Sequence, residues 1–207
     1  MAGKEQADSV DSKMFRRMRS KGIGWVFTPR DFRDLGSRIA LDLALLRHKR
    51  AGTIRQLARG LYDVPRPDPQ LGTVSPRLDA IATALKGRDA IRLQPSGAYA
   101  ANLLGLSDQV PMRVVFLTDG PSRQVRIGRL QILLKRTTPR NMAVAGKLSG
   151  LVIQALRYLG KRHVDDTVVA KLRRRLDVDE KKSLLKDLHY APQWIADVMR
   201  QIASTEG

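Results

Sequence analysis

Residues 28–64 read TPRDFRDLGSRIALDLALLRHKRAGTIRQLARGLYDV. Their punctuation decides the fold of the first part of the chain. Thr28-Pro29-Arg30-Asp31 is a helix start, with a hydroxyl N-cap, proline at the first position and an acid in the first turn. That helix runs to Leu35, and Gly36 ends it. Ser37 caps a second helix from Arg38 to about Ala51, with Gly52 as its stop. Two helices separated by a Gly-Ser turn have the form of a helix-turn-helix. Thr53 to Leu57 then suits a strand, Ala58-Arg59-Gly60 a tight turn, and Leu61 to Val64 a returning strand. A β-hairpin directly after the second helix makes the expected unit a winged helix with Arg59 at its tip.

Upstream of this stretch, Ser12 to Lys21 reads as a short helix ended by Gly22. Ile23 to Phe27 is aromatic and β-branched, as a short strand would be. Within the second helix, Leu41, Ala44, Leu45 and His48 have i, i+3, i+4, i+7 spacing and form the expected core stripe. His48 is read as a core or rim histidine rather than a ligand. Ile39, Leu43 and Leu46 are left near the other face, to pack on neighbours or to touch thymine methyl groups.

Charge is the loudest global feature of these 207 residues. There are 38 Lys and Arg against 20 Asp and Glu, a net +18. An excess of this size implies an anionic polymer or surface as partner, the plain alternative being a generally basic proteome. Residues 12–66 hold 14 basic side chains against four acidic ones, a net +10. A second basic zone lies between Asp119 and Asp165, with ten bases and no acid. The chain has no cysteine, which excludes disulfides, thiolate chemistry and Cys-based zinc sites. No apolar run approaches a membrane span, and the polar N-terminus lacks a secretory signal, so a cytoplasmic protein with no membrane partner is expected.

The run Pro65-Arg66-Pro67-Asp68-Pro69-Gln70-Leu71-Gly72 marks an extended connector. The expected organisation is a flexible tail over 1–11, the winged unit over 12–66, a Pro-rich linker over 67–72 and a second domain over 73–207. In that second domain Leu78, Ile81, Ala82 and Leu85 have helical spacing after Ser75-Pro76. Ile91 to Leu93 reads as a short strand, and Ser96 can cap a helix. Arg113 to Thr118, Arg123 to Ile127 and Leu130 to Arg136 read as three strands of an antiparallel meander. Leu148, Leu151, Val152, Ala155, Leu156 and Leu159 form an apolar helical stripe. Further helices follow, one carrying Arg173-Arg174-Arg175 on what is normally a solvated face. The fold class is therefore α+β: an N-terminal winged helix-turn-helix, then a mixed domain with a short antiparallel meander and a helical C-terminal part.

No catalytic constellation stands out, and no enzyme is expected. His48, His163 and His189 lie in no metal-binding spacing, and neither a metal nor a cofactor is expected. Gly120-Pro121-Ser122-Arg123 reads as a hairpin loop rather than a phosphate cradle. Asp108 and Asp119 resemble nuclease carboxylates only loosely, because the acid–x–Lys pairing is missing from the following strands. Groove contacts are assigned to Ser37, Arg38, Asp42 and Arg47, with Thr28 at the preceding helix start. Phosphate contacts fall to Arg16, Arg17, Arg19, Arg30, Arg55 and Arg59. Arg123, Arg126, Arg136 and Arg140 make up a possible second basic surface.

Three segments together resemble the AbiEi family of bacterial antitoxins of type IV toxin–antitoxin systems. They are Gly52 to Tyr62 (GTIRQLARGLY), Ala101 to Pro111 (ANLLGLSDQVP) and Val114 to Arg123 (VVFLTDGPSR), the last continuing to Arg140-Asn141. The resemblance covers roughly residues 15 to 160. It implies a winged helix that binds inverted repeats of double-stranded DNA in its own promoter, represses it and self-associates there. It also implies a C-terminal antitoxin domain, and a functionally paired AbiEii-like nucleotidyltransferase toxin that is opposed without a stable complex. By position, Arg59 and Gly60 take the wing-tip role and Ser37 with Arg38 the start of the recognition helix. The competing expectations are an RNA- or protein-binding module working through the basic second domain, and a degenerate metal-dependent nuclease.

Overall fold

The computed structural model describes residues 9–70, 72–109 and 111–204. It divides into two compact units, Met1–Ala90 and Ile91–Gly207. The architecture is α+β, with short helices and several small sheets. No helix among the described residues is long and apolar enough to cross a membrane.

In the first unit, α1 spans Val10–Lys21 and buries Met14 and Met18, one turn apart. Residues 1–8 of the expected tail lie outside the described residues. The rest of that tail is ordered, because the Ser12 N–H donates to the Ser9 hydroxyl at 3.2 Å, closing the helix start. Asp11 then ties α1 to the second helix, accepting from Arg47 Nε at 3.0 Å. Strand β1 (Val26–Phe27) leads into the first helix of the expected pair, which is a 3-10 helix over Pro29–Leu35. Helix α2 spans Arg38–Arg50, and strands β2 (Arg55–Ala58) and β3 (Leu61–Asp63) follow as a hairpin. The three strands form an antiparallel sheet in the order β1-β3-β2.

The core of this unit is aromatic at one side and aliphatic at the other. Phe27 and Phe32 are fully buried, edge to face, with ring centroids 5.3 Å apart; Trp25 meets Phe32 at 5.7 Å. Leu41, Ala44 and Leu45 of α2 and Ile54 close the other side. His48 is buried with them, its Nδ1 3.1 Å from the Thr53 hydroxyl and its ring stacked on Phe15.

The expected linker is structured. Arg66–Asp68 (β4) and Gly72–Val74 (β5) pair as an antiparallel hairpin; Leu71 lies outside the described residues. Helix α3, Leu78–Asp89, then packs against β1 and belongs to the first unit, with Ile81 and Leu85 buried. The division thus falls at Ala90 rather than at the proline run.

In the second unit, β6 (Leu93–Ser96), β7 (Arg113–Thr118), β8 (Arg123–Ile127) and β9 (Leu130–Arg136) form one sheet in the order β6-β7-β9-β8. This corrects the antiparallel meander: β9 lies between β7 and β8 and runs parallel to β7. The reason is apolarity. Ile132 and Leu134 of β9 are buried and need neighbours on both sides. Strand β8 alternates basic with apolar residues and suits an edge. Helix α4 (Gly97–Leu103) and the C-terminal helices α6 (Leu148–Leu159), α7 (Asp166–Arg175), α8 (Val178–Lys186) and α9 (Gln193–Ala203) share one core, with α5 (Pro139–Met142) as a single turn before them.

Two outcomes test this account. Phe32→Ala should destabilise the first unit by about 3–5 kcal/mol in urea unfolding, the cost of a large core cavity. The bidentate hydrogen bond from Arg17 holds the Asp34 carboxyl down to about 2, below its ordinary 3.8. A depressed carboxylate stabilises the fold above its unfolded pKa, and that stabilisation fades as pH falls through the folded value. Wild type should therefore exceed Asp34→Asn in melting temperature at neutral pH, and the gap should close between about pH 4 and pH 2.

Candidate nucleic-acid interface

Helix α2 carries the geometry. The Ser37 hydroxyl accepts the Ala40 N–H at 3.3 Å and fixes the helix start. At about 100° per residue, the buried stripe of Leu41, Ala44, Leu45 and His48 puts Arg38, Ile39, Asp42, Leu43, Leu46 and Arg50 outward. The Arg38 side chain is 92% exposed and lies 3.6 Å from Asp42, one turn on.

Beside the start of α2 a cavity of about 350 Å³ opens toward the hairpin turn at Gly60. Arg30 and Arg33 of the 3-10 helix, Arg38 of α2 and Arg88 of α3 all line it, with Asp42 as the acidic residue. Asp42 pairs with Arg38 at 3.6 Å and Asp89 with Arg88 at 3.1 Å, so the excess positive charge that attracts anions comes from Arg30 and Arg33, and guanidinium matches phosphate geometry in bidentate fashion. Arg88 has a second role. Its Nη1 donates to the Arg59 carbonyl at 3.2 Å and braces the hairpin turn, while burial pushes its guanidinium pKa down. Arg59 is exposed at that turn, and Gly60 holds φ at +67°, a conformation that side chains rarely adopt. On the other side of the hairpin, a groove of about 1070 Å³ is rimmed by Lys49, Arg55 and Arg59 over Phe15 and Ile23.

The structure sorts the expected contact residues. Arg16, Arg19, Arg30, Arg38 and Arg59 are exposed, as are Ser37 and Asp42. Four others are committed within the fold. Thr28 is 1% exposed, and its N–H and hydroxyl both donate to Asp31, at 2.7 and 3.0 Å. Arg17 grips Asp34 through both terminal nitrogens and lies over the Phe32 ring. Arg47 holds Asp11. Arg55 donates to the buried Asp63 at 2.6 and 3.1 Å, and to the Val74 carbonyl at 3.1 Å. These side chains shape the surface rather than offer themselves to it.

Of the second basic surface, Arg123 and Arg126 lie on β8, Arg136 at the end of β9 and Arg140 on α5. Arg123 lines a cavity of about 540 Å³ with Arg113 and Lys135; Arg126, Arg136 and Arg140 do not. Arg140 instead donates to the His189 carbonyl at 2.8 Å. Asp119 holds Arg92 by two hydrogen bonds, which keep its carboxyl below the usual range.

Arg33 and Arg88 were missed from sequence. Arg33 shares a short helix with Arg30, and that spacing was a usable signal. Arg88 stood in a segment assigned to the other domain.

No curated protein matches the chain. Among solved structures it is similar to the RV2827C protein from Mycobacterium tuberculosis, at 17% identity and a TM-score of 0.45, over 95% of this chain and 76% of that one. A sequence model of DUF6088, a family of unknown function, matches residues 13–184, and the chain belongs to that family.

Proposed function

We propose that the first unit is a winged helix-turn-helix that binds double-stranded DNA. Helix α2 enters the major groove, and the β2–β3 hairpin acts as the wing. The observation that carries this reading is the cavity where Arg30, Arg33, Arg38 and Arg88 converge between the start of α2 and the hairpin turn. A phosphate seated there would anchor the duplex with the outward face of α2 turned to base edges. The strand order β1-β3-β2, with the hairpin directly after the exposed helix, supports the same reading.

The wider role follows from the resemblance to AbiEi antitoxins. In it the chain represses its own promoter at inverted repeats and opposes a nucleotidyltransferase-like toxin through the second unit. It does so by binding and not by catalysis, in the cytoplasm.

Fluorescence anisotropy of the full chain tests this against its own upstream DNA and a scrambled duplex, at low and physiological salt. The expected result is a preference of about a thousandfold or more that survives added salt. Equal affinity that collapses with salt would overturn it, leaving only charge. Arg38→Ala, which removes a guanidinium from that cavity, should weaken binding to every sequence and lower its salt dependence. Arg33→Ala and Arg59→Ala should weaken binding to every sequence, whereas Arg17→Ala should lower stability and leave the affinity of the folded fraction unchanged.

A further inference from the structure

The outward face of α2 is apolar where a helix that reads bases by hydrogen bonds would be polar. Ile39, Leu43 and Leu46 are 74%, 50% and 42% exposed. At about 100° per residue they fall within about 60° of one another, directly opposite the buried stripe. From Arg38 to Arg50 the helix has no Asn, Gln, Ser or Thr. Arg50 shares this face at the helix's C-terminal end; the other polar side chains stand on the flanks, and three of the cations there have partners. Arg38 meets Asp42 at 3.6 Å, Arg47 meets Asp11 at 3.0 Å, and Lys49 donates to Gln56 at 2.7 Å.

We infer that this seam recognises the 5-methyl groups of thymine, so that the bases under α2 are read by apolar contact rather than by hydrogen bonds. The inference rests on the DNA-binding reading of α2 and says what that helix reads. In the major groove the methyl group of thymine is the apolar feature that a side chain can touch. The seam from Ile39 to Leu46 is about 10 Å long, close to three stacked base pairs. Exposed cations stand beside it, Arg38 and Lys49 on one flank and Arg50 at its C-terminal end. A phosphate-lined groove calls for cations next to the seam, and a flat apolar partner does not. Three side chains also fall well short of the roughly 800 Å² that each protein buries in a stable complex.

The test uses the full chain with its own upstream duplex and with the same duplex carrying dU in place of every dT, at physiological salt. The two carry the same charge and the same hydrogen-bonding edges, and differ only in the methyl group. Wild type should bind the uracil duplex about fourfold more weakly or worse, the change expected from losing one buried methyl contact. The exposed double variant Ile39→Ala/Leu43→Ala should bind both duplexes alike. Equal binding of the two duplexes by wild type would overturn the methyl reading while leaving DNA binding intact. Binding to neither, even at low salt, would overturn the DNA-binding reading and this inference with it. If the double variant kept the wild-type ratio but lost a dimer seen by light scattering, the seam would be an interface between copies and the inference would fall.

Discussion

Asp63 is a carboxylate 1% exposed in the central strand of the first unit's sheet. A charge in that position is tolerable only if it is paired and hydrogen-bonded. Arg55 supplies both, across the hairpin from β2, and the same guanidinium reaches the Val74 carbonyl of β5. One side chain thereby joins three strands. It sets β2 against β3, and β2–β3 carries the exposed turn at Arg59 and Gly60. The position of that turn beside α2 is in this sense a consequence of neutralising one buried charge.

Helix α2 answers two demands from opposite sides. Its inner stripe is close-packed against aromatic rings and the methionines of α1, so it cannot be altered without loss of stability. Its outer seam carries no such burden and is free to be chosen for what it touches. The arginines divide in the same manner. Arg17 and Arg55 are held by carboxylates and hold elements together, whereas Arg30 and Arg33 crowd one cavity beside Arg38, which Asp42 meets at 3.6 Å. Crowded like charges raise the energy of the unliganded surface, and an arriving phosphate relieves it.

Much of the local structure was legible in the sequence. Ser37, Gly52 and Gly60 marked the ends of α2 and the hairpin turn, and Leu41, Ala44, Leu45 and His48 were readable as one buried stripe. The bounds of β7, β8 and β9 followed from alternation and turn residues. What was not legible depended on partners distant in sequence. Alternation shows that β9 is a strand but not that it lies between β7 and β8. Arg55 and Arg59 look alike as letters, and only the fold places a buried carboxylate beside one of them. The proline run looked like a linker because proline cannot donate to a ladder. A two-stranded hairpin, exposed along most of its length, tolerates that. Thr28 was readable as a cap, and that role is the reason it faces inward.

Helix α3 is the last element of the first unit, yet it covers β1, one of the first, and its Arg88 braces the hairpin turn. During synthesis the unit therefore stays open along one edge of its core until residue 89 has left the ribosome. Until then β1 lacks that cover, and the hairpin turn lacks the brace from Arg88. A nascent chain paused at the proline run would expose apolar surface beside a dense cluster of cations, a combination that invites premature contact with the ribosomal RNA around it.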